Sequence, residues 1–311
     1  MFETMPASKT NIHFNNKLEN KDMFNILYYL YYYNGGGVAT GDINNDGLPD
    51  IYFTANSKGN NKLYLNKGNF VFEDITAKAG VAGTADWCSG VTMADVNGDG
   101  FLDIYVTASS LHHGLKGHNE LFINNRNGGF TESSAQYGLG FSGFGTQAAF
   151  FDYDHDGDLD CYLLNHSQKP NSNIRDTSNR RKFDEVSGDR LYRNDGGRFA
   201  DVTGDVGLRT EGFTTTATAG DVDGDGDVDL FVSRFLEPAT LPRMCSQMIE
   251  VATPHTSLLF INEGGRYVEQ AAARGITERD PTLAARLYDL DRDGDLDLYV
   301  GNDLGMYHPD R

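Results

Sequence analysis

Asp42-Ile43-Asn44-Asn45-Asp46-Gly47-Leu48-Pro49-Asp50 runs directly into Ile51-Tyr52-Phe53, and the same acidic turn followed by an apolar run returns four more times. The copies begin at Asp42, Asp95, Asp152, Asp221 and Asp289, at spacings of 53, 57, 69 and 68 residues. Each reads Asp-x-(Asp/Asn)-x-Asp-Gly-x-x-Asp. A unit repeated at such intervals implies a repeated supersecondary element.

The turn is built to hold a hard cation. Positions 1, 3, 5 and 9 are Asp42, Asn44, Asp46 and Asp50 in the first copy and Asp95, Asn97, Asp99 and Asp103 in the second. The other three supply Asp152, Asp154, Asp156 and Asp160; Asp221, Asp223, Asp225 and Asp229; and Asp289, Asp291, Asp293 and Asp297. Position 7 (Leu48, Phe101, Asp158, Asp227 or Asp295) adds a backbone carbonyl, and the glycine at position 6 permits the tight turn. All-oxygen donors without His or Cys suit calcium, up to five ions, better than zinc or copper. Merely solvated acidic turns would not keep Asp and Gly in register five times. An EF-hand is excluded, because position 12 is Phe53, Val106, Leu163, Val232 or Val300 rather than a bidentate Glu. Copies one and two carry Asn at position 3 and are expected to bind more weakly than the other three.

The rest of the unit also repeats. Asp50-Ile51-Tyr52-Phe53-Thr54, Asp103-Ile104-Tyr105-Val106-Thr107 and Asp297-Leu298-Tyr299-Val300-Gly301 are strand-type runs. A second run ends at Asn66, Asn124, Asn194 or Asn262, a glycine turns the chain, and an aromatic strand opens at Phe72, Phe130, Phe199 or Tyr267. Nine residues later a small-residue corner closes at Val81, Leu139, Leu208 or Ile276. With the small-residue strand before each loop (Gly37-Val38-Ala39, Gly90-Val91-Thr92 and their counterparts) the count is four short strands per unit. The fold class expected is all-β, a β-propeller of four-stranded blades. Blades are placed near 34–82, 87–140, 143–208, 213–276 and 281–311, the last closed by 2–15, within one domain of residues 1–311. The count fits a five-bladed ring with a three-stranded last blade or a piece of a six- to eight-bladed one. An unpaired edge strand favours the second.

These residues resemble FG-GAP/VCBS repeats, as in integrin α-chain propellers, and more closely the bacterial cartilage-acidic-protein-like (ASPIC/UnbV-type) proteins. The likeness runs from Phe2 through Asn34-Gly35-Gly36-Gly37 to Asn302. It implies a propeller with calcium in its acidic loops and a role in adhesion or ligand binding rather than catalysis. The C-terminal ASPIC/UnbV module is absent, so nothing lodged there carries over.

Filling five loops with divalent ions would bring the formal charge of −19 to −9, so much of the acidity is ligand. Nucleic acid is an unsuited partner, since phosphate binding draws on clustered Lys and Arg and only Arg175 to Lys182 approaches that. Three scattered cysteines, Cys88, Cys161 and Cys245, make neither a disulfide scaffold nor a zinc site, and Cys161 in the slot of Ile51 and Ile104 is expected as a buried thiol. No run is long enough to span a membrane. Multi-carboxylate calcium sites of modest affinity fill near millimolar calcium. The chain is therefore expected to be extracellular, at the cell surface or periplasmic, with its leader removed or outside these residues.

Two insertions, His166 to Gly188 and Leu236 to Thr256, interrupt the rhythm and are candidate binding loops for a protein or glycan ligand. Weaker candidates are a sugar-stacking role for Tyr28 to Tyr33, which fits core packing better, and a transition-metal role for His112, His113 and His118. Asn165-His166-Ser167 matches a glycosylation sequon, and Trp87 is expected at a blade junction. Every conspicuous carboxylate pair belongs to a cation loop and no nucleophile elbow or P-loop is present, so the chain is read as non-catalytic. The alternative is a scaffold or auxiliary domain of a secreted polysaccharide-processing enzyme.

Overall fold

The computed structural model describes residues 3–18, 25–26, 29, 32–110, 114–166, 183–210, 214–234, 257–277 and 282–302. The bulk of both insertions, Cys245, His112, His113, Ser167, and Tyr28, Leu30 and Tyr31 lie outside them.

After a helical turn α1 (Ala7–Thr10), the first repeat gives β1 (Val38–Gly41), β2 (Asp50–Phe53), β3 (Lys62–Asn66) and β4 (Phe72–Asp74), closed by α2 (Thr76–Ala79). The second gives β5 (Cys88–Ala94), β6 (Asp103–Ala108), β7 (Glu120–Asn124), β8 (Phe130–Glu132) and α3 (Ser134–Tyr137). The third supplies β9 (Gly145–Phe151), β10 (Asp160–Asn165), β11 (Arg190–Asn194) and β12 (Phe199–Asp201). The fourth supplies β13 (Thr214–Gly220), β14 (Asp229–Arg234), β15 (Leu258–Asn262) and β16 (Tyr267–Glu269), and the fifth β17 (Thr282–Tyr288) and β18 (Asp297–Asn302). The chain divides into two compact units, one of residues 1–150 and 194–200, the other of 151–193 and 201–311.

In the first unit β1 to β4 and β5 to β8 are antiparallel meanders. Their register is the same: Tyr52 faces Leu63 and Tyr105 faces Leu121. Alternation along the strands sends Tyr52 and Leu63 of the first sheet and Ile104, Val106 and Phe122 of the second into one core with Ile43, Val81 and Val91. Inner strands meet where side chains are smallest. A Cβ on Gly90 would stand 2.2 Å from the Thr146 carbonyl oxygen, and one on Gly37 2.8 Å from the Val91 nitrogen.

The corners expected as small-residue bends are single helical turns, α2 and α3, capped by Gly80 and Gly138 in the left-handed region. Residues 7–12 repeat this corner. Asn11 caps α1 at φ 58°, and its Nδ2 donates to the Phe72 carbonyl at 3.1 Å, over the start of β4. Phe14 then stacks on Phe53 at 4.8 Å. Residues 3–18 hold no strand and lie against the first repeat. Tyr29, Tyr32 and Trp87 form a small buried cluster with Leu18 and Leu115, so the described members of the tyrosine run pack inward, except Tyr33.

In the second unit β13 to β16 make a third meander, β10 pairs with β11, and β17 with β18. Cys161 is a free, fully buried thiol, as the pattern predicts. β18 has no third strand among the described residues, and its Tyr299 is 66% exposed whereas Tyr52, Tyr105, Tyr162 and Phe231 at the same position are at most 1% exposed.

One repeat carries a charge where the others do not. Asn61 and Asn119 accept the N–H of Ala55 and Ala108, and Asn119 Nδ2 donates to the Tyr105 hydroxyl. The third repeat has Asp189 there, fully buried, accepting from the Asn165 N–H, Thr214, Tyr162 and Thr210. Burial pushes its carboxyl up from 3.8 to about 6. A carboxyl that titrates higher in the fold than in the unfolded chain favours the fold below the unfolded value, and that advantage is lost as pH rises through the folded one.

Two outcomes are expected in denaturant unfolding. Tyr105→Ala, which empties a core site and orphans the Leu139 carbonyl, costs about 3–5 kcal/mol, while Tyr299→Ala stays within about 0.5 kcal/mol. Wild type loses on the order of 2–3 kcal/mol between pH 4 and 7 through Asp189. Asp189→Asn, which installs the side chain of the second repeat, flattens that loss and is the more stable protein at pH 7. Parallel pH profiles for the two proteins would exclude this role for Asp189.

Candidate metal centre

The loop is wound by its own carboxylates. In all five copies the N–H of the position-6 glycine donates to one oxygen of the position-1 Asp, at 2.6 to 3.1 Å. In all five the position-7 N–H donates to the position-5 Asp, at 2.9 or 3.0 Å. The glycine sits at φ between 85° and 100°, where a side chain would be strained. Position 4 is also left-handed, with Asn45, His155 and Arg292 accepting that cost.

Position 9 has a second task that the spacing alone does not reveal. One oxygen of Asp50, Asp103, Asp160, Asp229 and Asp297 accepts the N–H of the position-2 residue. The other oxygen of Asp50, Asp103 and Asp229 accepts the N–H of the asparagine that ends the third strand of the same repeat. These aspartates staple the loop to the sheet, and the first four are fully buried while Asp297 is half-buried. Burial pushes Asp103 up to about 6 and raises Asp50 and Asp229, against the pull of those two N–H bonds.

The loops differ in what faces their remaining oxygens. Arg126 reaches Asp99 of loop two at 2.9 Å; burial pushes the Asp99 carboxyl up, but the bonds from Arg126 and the Phe101 N–H outweigh it and hold it below the usual range. Arg274 takes Asp223 of loop four at 2.7 Å, and His155 of loop three meets Asp227 of loop four at 2.8 Å. None of these three partners was flagged by the sequence, because each arrives from another turn. In loop one Asn44 Nδ2 bonds Asp46, and Asn45 Nδ2 bonds the Gly100 carbonyl of loop two.

Carboxylates converge in loops three, four and five. One oxygen each of Asp152, Asp154 and Asp160, of Asp221, Asp223 and Asp225, and of Asp289, Asp291 and Asp297 lies within 4.8 Å of the others in its group. In loop three Asp152 Oδ1 and Asp154 Oδ1 are buried without a hydrogen-bond partner. Burial, then Asp156 and Asp152, raise the Asp154 carboxyl. Like charges gathered away from water call for a cation, and this donor set fits calcium, which would take carboxylate and backbone oxygens there. The histidines form no second centre among the described residues, where metal-type groupings are confined to these loops.

Asp154→Asn should invert its effect with conditions. In chelator it relieves repulsion and raises Tm; in millimolar calcium it removes a ligand and lowers Tm relative to wild type. A shift of the same sign in both media, measured by scanning calorimetry, would remove loop three as a cation site.

The model of the FG-GAP-like repeat matches residues 42–106, 110–163 and 181–232, more than half of the chain. The chain is 31% identical over 206 residues to cartilage acidic protein 1 of Xenopus tropicalis, covering 65% of this chain and 29% of that protein. To the Mus musculus protein of the same name it is 30% identical over 204 residues, covering 64% and 28%. It thus spans less than a third of the length of these curated relatives. A solved Agrocybe aegerita lectin, described as recognising non-reducing terminal N-acetylglucosamine, superposes with a TM-score of 0.45 at 18% identity, over 85% of this chain and 59% of that one. Three matched segments, each opening or closing around an acidic loop and its strand, place this chain in the FG-GAP-like repeat family.

Proposed function

We propose that the chain is a non-catalytic, calcium-stabilised β-propeller that presents its inter-strand loops to a protein or glycan partner outside the cytoplasm. The observation that carries this reading is loop three, where Asp152 Oδ1 and Asp154 Oδ1 are buried and unpartnered beside Asp160. Bound calcium supplies the positive charge that lets such carboxylates share one turn. The residues that hold it are positions 1, 3, 5 and 9 of each loop with the position-7 carbonyl. Membership of the FG-GAP-like repeat family and the likeness to cartilage acidic protein 1 support a surface or adhesion role. No helix among the described residues is long and apolar enough to cross a membrane.

The reading of the meanders as propeller blades is supported by their common strand order and register, and by residues 7–12, whose helical turn and Asn11 cap repeat against the first repeat the corner made by α2 and Gly80. The acidic loops then serve as rigid struts, and the two insertions, whose bulk lies outside the described residues, are the segments offered to the partner.

Calcium at millimolar concentration should raise Tm by at least several degrees over chelator, with magnesium much less effective. A glycan and protein binding screen run in both media should retain a ligand only with calcium. Equal melting in both media removes the structural ion; no retained ligand removes the binding role.

A further inference from the structure

In the second and fourth repeats the asparagine that ends the third strand touches two loops at once, whereas Asn66 of the first repeat bonds Asp50 and the Pro49 carbonyl of its own loop. In the second repeat the Asn124 N–H donates to Asp103 Oδ1 at 2.7 Å, its Nδ2 donates to the Ile43 carbonyl at 2.8 Å, and its Oδ1 accepts the Arg126 N–H at 2.9 Å. Asp103 belongs to loop two and Ile43 to loop one. In the fourth repeat the Asn262 N–H donates to Asp229 Oδ1 and its Nδ2 to the Tyr153 carbonyl, both at 2.8 Å, while its Oδ1 accepts the Gly265 N–H at 2.7 Å. That joins loop four to loop three. Asn194 likewise donates to the Val96 carbonyl of loop two at 3.1 Å. All three asparagines are at most 4% exposed, so these bonds face no competition from water.

The carbonyl that is gripped stands at a sensitive place. Ile43 is position 2, flanked by Asp42 and Asn44, and its N–H is already held by Asp50 Oδ2 at 3.0 Å. With its carbonyl also held, the backbone between two ligand residues is pinned from both sides. Tyr153 is pinned in the same way between Asp152 and Asp154, by Asp160 and Asn262. A continuous hydrogen-bonded path therefore runs from Asp50 through Ile43 and Asn124 to Asp103, and from Asp160 through Tyr153 and Asn262 to Asp229.

We propose that Asn124 and Asn262 are positioning residues that couple neighbouring cation loops, loop one with loop two and loop three with loop four. This rests on the cation reading of the loops. When the ligands of loop two draw in around an ion, Asp103 is fixed, Asn124 is fixed on it, and the spacing of Asp42 and Asn44 in loop one is set before that loop binds. Binding in one loop lowers the ordering cost in its neighbour, and the coupling is reciprocal.

The test follows hydrogen exchange of the loop-one amides Asn44 to Leu48 in the 311-residue chain during calcium titration. Asp99→Asn, which weakens loop two, should shift the loop-one calcium midpoint upward by about fivefold or more. Asn124→Ala should abolish the dependence, leaving the loop-one midpoint the same with and without Asp99→Asn. In chelator it should also speed exchange of the Ile43 amide. Asn262→Ala, read at loop three with Asp225→Asn in loop four, repeats the test in the second unit should Asn124→Ala not fold. A loop-one midpoint indifferent to Asp99→Asn overturns the coupling while leaving the cation sites standing. Loops that never respond to calcium in any background overturn both.

Discussion

Five carboxylate clusters must be folded into tight turns without flying apart, and everything else in the chain is arranged around that constraint. Part of the answer is local hydrogen bonding: the position-1 and position-5 aspartates accept N–H groups of the turn they define, which any Asp-x-x-x-x-Gly turn of this shape provides. The remainder is tertiary. Position 9 is buried at the base of the second strand, where a bare carboxylate would be costly, and two backbone N–H donors hold it there. What local bonding leaves over is the oxygens of positions 1, 3 and 5 that face one another.

The five loops share a backbone but not an electrostatic environment. Arg126 and Arg274 bring fixed positive charge to loops two and four, and loop one exchanges a carboxylate for the amide of Asn44. In loop three the charge of Arg193 offsets only part of the rise at Asp154, and it is there that buried oxygens of Asp152 and Asp154 lack hydrogen-bond partners. A repeat array built from one loop can thus distribute its dependence on cations unevenly. Some turns carry a compensating charge from elsewhere in the protein, while loop three leaves carboxylate oxygens without a hydrogen-bond partner.

The acidic register, the strand that follows it, the aromatic opening of the fourth strand and the small residues of the first were all legible in the sequence, because each is a local pattern with a local cause. Asn66, Asn124, Asn194 and Asn262 were visible as a recurring letter, but their purpose was not, since Asn124 and Asn262 find their acceptors 81 and 109 residues away. The same holds for Arg126, Arg274 and His155, whose targets are 27, 51 and 72 residues distant. The helical turns at the corners were read as bends because four residues are too few to show helical periodicity. Position 9 was read from the sequence as a candidate ligand and missed as a staple, because a spacing rule reports which residues share a turn and not what else holds them.

That double role changes how the loop motif should be understood. If position 9 were only a ligand, the motif would describe a site added to a sheet. Because the same carboxylate binds the position-2 backbone and the end of the third strand, the site and the sheet share a residue. The third strand in turn carries the asparagine that grips the preceding loop. Loop, sheet and neighbouring loop are then one hydrogen-bonded object. The spacing between repeats is free to vary from 53 to 69 residues, since insertions between the second and third strands leave every member of that object in place.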